Sequence, residues 1–288
     1  MEALPFILVI ISATAHGYWN FLFKQADNKD AFLGLSKLVE PLLYMVPFFY
    51  LLSLNDLKSS ASGYVAVGAI LSIANYILLA NAYKRLDLAL AYPISRSSTI
   101  FLPFLAYLFF SEVIDVLGWV SVITVSVGVF VIQMNNSKEK KKLGCKKEQR
   151  LGLVFAILAA FTVALYTLWG RVAVNQIHPF LYMYLYTLVT SVYFAPSLFK
   201  LGKDTIVREW QANRWHIIVV AFLNTFSYVL MLFALRMSKV AYVGALRQLS
   251  LVFGVTLGWL LLKEEMGRFR IVGLVFIVLG AGLSYFAS

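Results

Sequence analysis

The sequence predicts an all-α integral membrane protein. Its ten transmembrane helices are expected as two inverted five-helix repeats around a central cavity. Three observations carry this. Of 288 residues, 61% are apolar and 14% charged, too few charges to cover a soluble domain of that size. The apolar residues gather into ten continuous runs, each near the ~20 residues that cross the hydrocarbon core as a helix. Five pairs also recur along the chain: Lys24 and Arg171, Asn75 and Asn224, Tyr92 and Tyr242, Arg96 and Arg247, Glu112 and Glu264. Their separations of 147, 149, 150, 151 and 152 residues drift upward steadily, as in two homologous halves that differ by a few single-residue insertions.

The runs of the first half cover 4–23, 31–54, 63–83, 88–110 and 114–134. Those of the second cover 151–173, 179–200, 215–235, 240–262 and 270–286. They are continuous rather than alternating apolar and polar, which favours helices over a barrel. The lysine-rich stretch 135–150 has no apolar face. It is read as a solvated tether between a first repeat, 1–134, and a second, 151–288, whose lysines can also meet anionic head groups. The stretch 203–214 is the other sizeable polar loop; the remaining connections are short and force antiparallel neighbours. Five crossings per half invert the second half relative to the first. Inverted halves place a site on the pseudo-symmetry axis near the bilayer midplane and allow two mirror-related, alternately open states. That is the architecture of a carrier.

The net charge of +11 reads as topology rather than as a nucleic-acid footprint. Eighteen Lys and Arg fall in one set of alternating loops, which includes the linker, and four (Lys58, Arg171, Arg236, Lys239) in the other. Positive loops stay cytoplasmic, so the linker is expected inside the cell and both termini outside, in a cell inner or plasma membrane. Cys145 is the only cysteine, which excludes an intramolecular disulfide and suits a reducing face. Ala13-Thr14-Ala15 resembles a signal-peptidase site, but only Glu2 is charged before it and the apolar run continues, so a retained first helix is expected.

Small residues recur seven apart on the fifth and tenth runs: Ser121 and Gly128 match Gly273 and Gly280 at a separation of 152. Such faces let helices approach closely, within the bundle or in a homodimer through these two runs. Gly254 and Gly258 form a similar pair on the ninth.

The chain resembles the drug/metabolite transporter superfamily in its two-repeat EamA-type form, over essentially its whole length. The resemblance rests on Trp19-Asn20 with Lys24, on the stretch from Ala82 through Tyr92 to Glu112, and on its echo from Ala234 through Glu264-Glu265 to Gly280. The run at 273–281 is also similar to the last helix of the single-repeat small multidrug resistance proteins. The resemblance implies a basket of ten helices, a cavity lined mainly by the first, third, fourth, sixth, eighth and ninth, and transport of small metabolites, commonly by export.

Polar groups inside the runs are expensive and mark a cavity or a partner. Ser12, His16, Asn20 and Lys24 recur at four-residue spacing and form one stripe, which must face the interior. His16 titrates near neutral pH and is a candidate proton carrier, or a neutral histidine bonded to a neighbouring helix. Asn75 with Tyr76, and Asn224 with Tyr228, can bind a polar ligand or glue helices together. Tyr92 and Tyr242 open the fourth and ninth runs, with Arg96, Arg247 and Gln248 behind them. Arginine offers a planar fork to carboxylate or phosphate. Tyr166 and Trp169 are candidate aromatic walls. Lys37 and Glu40 share a face three residues apart and read as a local ion pair, with Glu40 a second proton-coupling candidate. Glu112, Glu264 and Glu265 lie at helix–loop junctions and read as solvated or cap-forming.

Small multidrug resistance proteins use a glutamate in their first helix, where this chain offers His16 and Asn20. That departure counts against a cationic-drug pump. A small anionic or zwitterionic metabolite such as an amino acid, exported by proton-coupled alternating access, is expected; a lipid-linked or nucleotide-sugar carrier is the alternative. No nucleophile–base pair, metal motif or phosphate loop is evident, so neither enzymatic activity nor a cofactor is expected. The partners foreseen are a small-molecule substrate and the bilayer, with no nucleic acid.

Overall fold

The computed structural model describes residues 1–55, 60–86, 88–133 and 146–287. The first half comprises α1 (Ala3–Lys24), α2 (Lys29–Leu54), α3 (Ala61–Arg85), α4 (Leu88–Arg96), α5 (Ser98–Phe110) and α6 (Val116–Gln133). The second comprises α7 (Lys146–Val174), α8 (Pro179–Phe199), α9 (Lys203–Met237), α10 (Val240–Arg247), α11 (Leu249–Leu262) and α12 (Arg268–Phe286). With α4–α5 and α10–α11 each taken as one bent rod, these are the ten runs read from the sequence. Among the described residues, seven helical segments are long and apolar enough to cross a membrane; Ile94–Phe110 and Val116–Ile132 are shorter apolar helices. The remaining one, α8, spans 21 residues without a charged side chain. The protein is a multi-pass membrane protein.

The fourth and ninth runs read as single helices, and each is broken. Ser97 N donates to Ile94 O (3.1 Å) and Ile100 N to Ser97 O (2.9 Å); Gln248 N donates to Ala245 O (3.1 Å) and Leu251 N to Gln248 O (2.9 Å). These tight i→i+3 bonds replace the α-helical ladder, and the second set lies 151 residues after the first. Pro93 and Gly244 precede the two breaks at matching positions. Proline removes a ladder donor and glycine weakens a helix interior. Each break falls immediately after an arginine, Arg96 or Arg247.

Two other boundaries differ from expectation. The helix α7 begins at Lys146, inside the expected linker, and its first turn is tied to α3 by Arg85–Glu148 (3.1 Å). The polar stretch 203–214 is helical rather than a loop and runs into α9 through a kink at Asn213 (φ −125°). Buried Glu209 holds this turn: it accepts from Asn28 N (2.7 Å) and from Asn213 Nδ2 (2.8 Å).

The halves interleave rather than pack as separate units. The helix α1 lies against α9 and α11, α2 against α8 and α9, α3 against α7, and α6 against α12. The termini meet at one face, where the Met1 amine donates to Tyr285 O (2.9 Å) and Ala287 O (2.8 Å). The opposite face carries the ends of α6 and α7 that lead into the linker.

The α6–α12 seam uses the repeated small residues. Ser121 Oγ donates to Gly280 O (2.7 Å). A Cβ on Gly128 would stand 2.7 Å from Gly273 O, and one on Gly280 would stand 2.9 Å from Ser121 O. These faces are filled within the chain, so a homodimer through them, foreseen as one alternative, has no open small-residue surface to use. Gly128→Ala and Gly280→Ala should each cost about 1–3 kcal/mol through overpacking against backbone. Gly282→Ala, with nothing within 4 Å of its Cβ, should leave the thermal unfolding midpoint in detergent unchanged.

Candidate substrate-binding cavity

A cavity of about 230 Å³ opens between the two halves. It is lined by α1, α3, α4–α5, α7, α9 and α10, the helices the resemblance implied, and also by α2 and α8. Its end toward the termini is closed by fully buried Leu102, Met183, Met231 and Val243, whereas Leu33, Leu79 and Tyr83 at the linker-side end are half-buried. The linker-side end is the less shielded one.

Most of the sequence-predicted site residues converge here. His16, Trp19, Asn75, Tyr76, Arg96, Tyr166, Asn224, Tyr228, Arg247, Gln248 and Glu40 all line the cavity. Arg96 and Arg247 arrive as the last residues of α4 and α10, so the two helix breaks set their depth. The Arg247 guanidinium sits over the Tyr228 ring at 5.4 Å. Tyr228 in turn stacks on Tyr186 (centroids 6.0 Å apart, planes within 1°), and Tyr186 Oη bonds Ser72 Oγ at 2.5 Å. Gln248 Nε2 donates to Thr99 Oγ1 (2.9 Å) across the two helix breaks. His16 Nδ1 accepts from Trp19 Nε1 (3.2 Å), so a neutral ring carries its proton on Nε2.

Lys37 and Glu40 form the expected pair, with Nζ at 3.0 and 3.1 Å from the two carboxylate oxygens. Asn224 Nδ2 (2.8 Å) and Thr225 Oγ1 (3.4 Å) complete the donors around Glu40. Removing either ion alone would leave an uncompensated buried charge, which is strongly destabilising. The pair belongs to the cavity wall, which the sequence reading did not foresee for Lys37. A signal was present. Of 25 Lys and Arg, the sequence assigns eighteen plus four to the loop regions between apolar runs, and the three left over, Lys37, Arg96 and Arg247, all line the cavity.

Other predicted residues go elsewhere. Asn20 Nδ2 bonds back to His16 O (2.6 Å) within α1, and Trp169 Nε1 bonds Tyr64 O (2.7 Å), joining α7 to α3. Tyr242 is 1% exposed, packed beside Gly118 with its hydroxyl 3.4 Å from Asp115 Oδ1. These three serve packing and backbone satisfaction rather than the cavity. The side chain of Tyr92 lies outside the described residues, as does Cys145. Tyr186 and Ser72 were missed, although Tyr182, Tyr186 and Thr190 recur on α8 at four-residue spacing and mark one polar face.

The junction glutamates do more than meet solvent. Glu112 is buried: it accepts from Val240 N at the start of α10 (3.0 Å) and pairs with Arg171 (2.5 Å), which also donates to Ser238 O (2.7 Å). Glu264 pairs with Lys24 and, at 3.6 Å, with Arg270. Glu265 is exposed, as expected of a solvated residue.

Residues 150–286 match the model of the EamA-like transporter family. No curated protein sequence matches the chain, whereas 29 chains of solved structures do. One of these crystal structures is 11% identical and superposes with a TM-score of 0.80, covering 99% of this chain and 98% of that chain. At that identity the likeness concerns the fold alone.

Proposed function

We propose that this chain, whose residues 150–286 match the model of the EamA-like transporter family, is a secondary transporter that exports a small anionic or zwitterionic metabolite, such as an amino acid, by alternating access. The observation that carries the reading is the charge of the cavity. Lys37, Arg96 and Arg247 line it, and Glu40 is the one carboxylate among its described lining residues. Arginine at a helix break presents its fork to water and to a ligand carboxylate or phosphonate, and the Tyr186–Tyr228 stack supplies an apolar wall beside Arg247. The missing acid in the first helix argues in the same direction.

Thermal unfolding should be followed across amino acids, carboxylates, phosphonates and quaternary cations. A ligand at 100 times its Kd stabilises by about 2.7 kcal/mol. Anions or zwitterions should raise the midpoint, and Arg96→Gln or Arg247→Gln should weaken their binding about tenfold or more, the weight of a charge-assisted hydrogen bond. Hits made up of cations alone, indifferent to both substitutions, would return the chain to the multidrug class.

Export is coupled to a proton gradient through His16, the titratable ring that faces the substrate space from α1, with Glu40 next in line. Transport in vesicles should follow an imposed pH difference, and His16→Ala should abolish that response. A variant that transports with the same pH response would make His16 structural.

The linker lies in the cytoplasm and the termini outside, on the strength of the eighteen-to-four division of basic residues. A membrane-impermeant thiol reagent should leave Cys145 unlabelled in intact cells and label it once the membrane is broken; the reverse pattern inverts the orientation.

A further inference from the structure

Two ion pairs related by the repeat tie the halves together at opposite faces, beside the Arg85–Glu148 pair on the linker side, and both join residues of different repeats. Lys24 of the first half meets Glu264 of the second at the linker-side face. Arg171 of the second meets Glu112 of the first at the face of the termini. Lys24 corresponds to Arg171 and Glu112 to Glu264 in the repeat, so the second pair is the first one carried through the pseudo-twofold axis. An inverted repeat produces this arrangement whenever a contact bridges its halves. The consequence is mechanical. Rocking one half against the other separates the groups at one face while bringing those at the other together.

The two pairs differ in strength. Glu112 and Arg171 side chains are 8% and 22% exposed, against 26% and 53% for Glu264 and Lys24. The exposed lysine pair is screened by water and salt, whereas the arginine pair is shielded and reinforced by Val240 N and Ser238 O. The better-shielded pair stands at the end of the cavity whose lining is more deeply buried.

We infer that Arg171–Glu112 and Lys24–Glu264 are alternately opened latches of the transport cycle, and that the first positions Arg247 through α10. Glu112 holds the first residue of α10, and Arg247 is its last. Eight helical residues make a rigid lever of ~12 Å between the latch and the cavity arginine. Displacing Arg247 toward a bound anion therefore pulls on the Glu112 contact. The chain is latched at both ends in the structure, and the weaker linker-side latch is the first to open. This inference rests on the transporter reading for its purpose but not for its test.

The test uses the full-length protein with Cys145→Ser and one reporter cysteine, either Met183→Cys at the sealed end of the cavity or Leu79→Cys at the linker-side end. A membrane-impermeant maleimide is applied to each face in turn. Glu112→Gln should raise labelling of Met183→Cys from the termini face at least about fivefold, the lower range of typical coupling between sites. Glu264→Gln should raise labelling of Leu79→Cys from the linker side and leave Met183→Cys protected. Exchanging the charges, as Arg171→Glu with Glu112→Arg, should restore protection. Should Glu112→Gln fail to fold, the comparison of Arg171→Gln with the exchanged pair decides the matter. Unchanged labelling in the single variants, or equal opening at both faces, overturns the latches. Because the readout needs no substrate, such a result alongside intact anion binding leaves the transport reading in place. Latches that work in a protein binding only cations would do the reverse.

Discussion

The structure depends on one constraint: a charge inside hydrocarbon has to be matched by an opposite charge, by water or by a ligand. Three basic side chains line the cavity, and the fold treats them in two ways. Lys37 is matched locally by Glu40, whose carboxylate also accepts from Asn224 and Thr225. Arg96 and Arg247 instead occupy the ends of half-helices that open onto the cavity. A helix interrupted at that depth would be intolerable against lipid, because freed backbone groups need partners. It is tolerated here because the breaks themselves are buried, at Ser98, Thr99 and Gln248, where tight turns and the Gln248–Thr99 bond satisfy the freed groups. The cavity, the breaks and the arginines are thus one feature.

Pseudo-symmetry supplies the parts twice, and the two copies have diverged in use. Asn75 and Asn224 occupy equivalent places, yet Asn75 bonds the backbone of α7 at Ala159 (2.9 Å) whereas Asn224 holds Glu40 (2.8 Å). One amide is helix glue and its equivalent supports a buried acid. Tyr242 packs against α6 outside the cavity. Repetition identifies positions on the axis, but only the neighbours decide what each side chain does there.

Much of the fold was legible because its causes are local or periodic. The ten runs follow from hydropathy, and the inverted halves follow from five pairs with drifting spacing. The Lys37–Glu40 pair was visible because its partners are three residues apart on one helix. What escaped the sequence depends on distant contacts. Glu264 is read as a junction residue until Lys24, 240 residues away, is seen beside it. The contribution of α2 and α8 to the cavity wall depends on how the halves interleave, which no single run encodes. The two helix breaks are a different case. Pro93 and Gly244 stand at equivalent positions three residues before each arginine, and both are poor helix formers, so the signal was local but was outweighed by the continuity of the apolar runs.

The breaks also bear on how such a bundle can move. A continuous ninth crossing would carry any shift of Arg247 through all 23 residues of Val240–Leu262, including the turns of α11 that pack on α1 through Gly17 and Phe253. With the break, α10 is short, buried on all but its last residue, and joined to α11 through i→i+3 bonds. Such turns have poorer hydrogen-bond geometry than the α-helix and often mark hinges. A small displacement at the cavity end then reaches the Glu112 contact without dragging α11 across its seam with α1. The same reasoning applies to α4 and α5 at the opposite end of the pseudo-symmetry axis. A packed membrane bundle resists continuous deformation, and the paired breaks are the places where this chain interrupts the helical ladder.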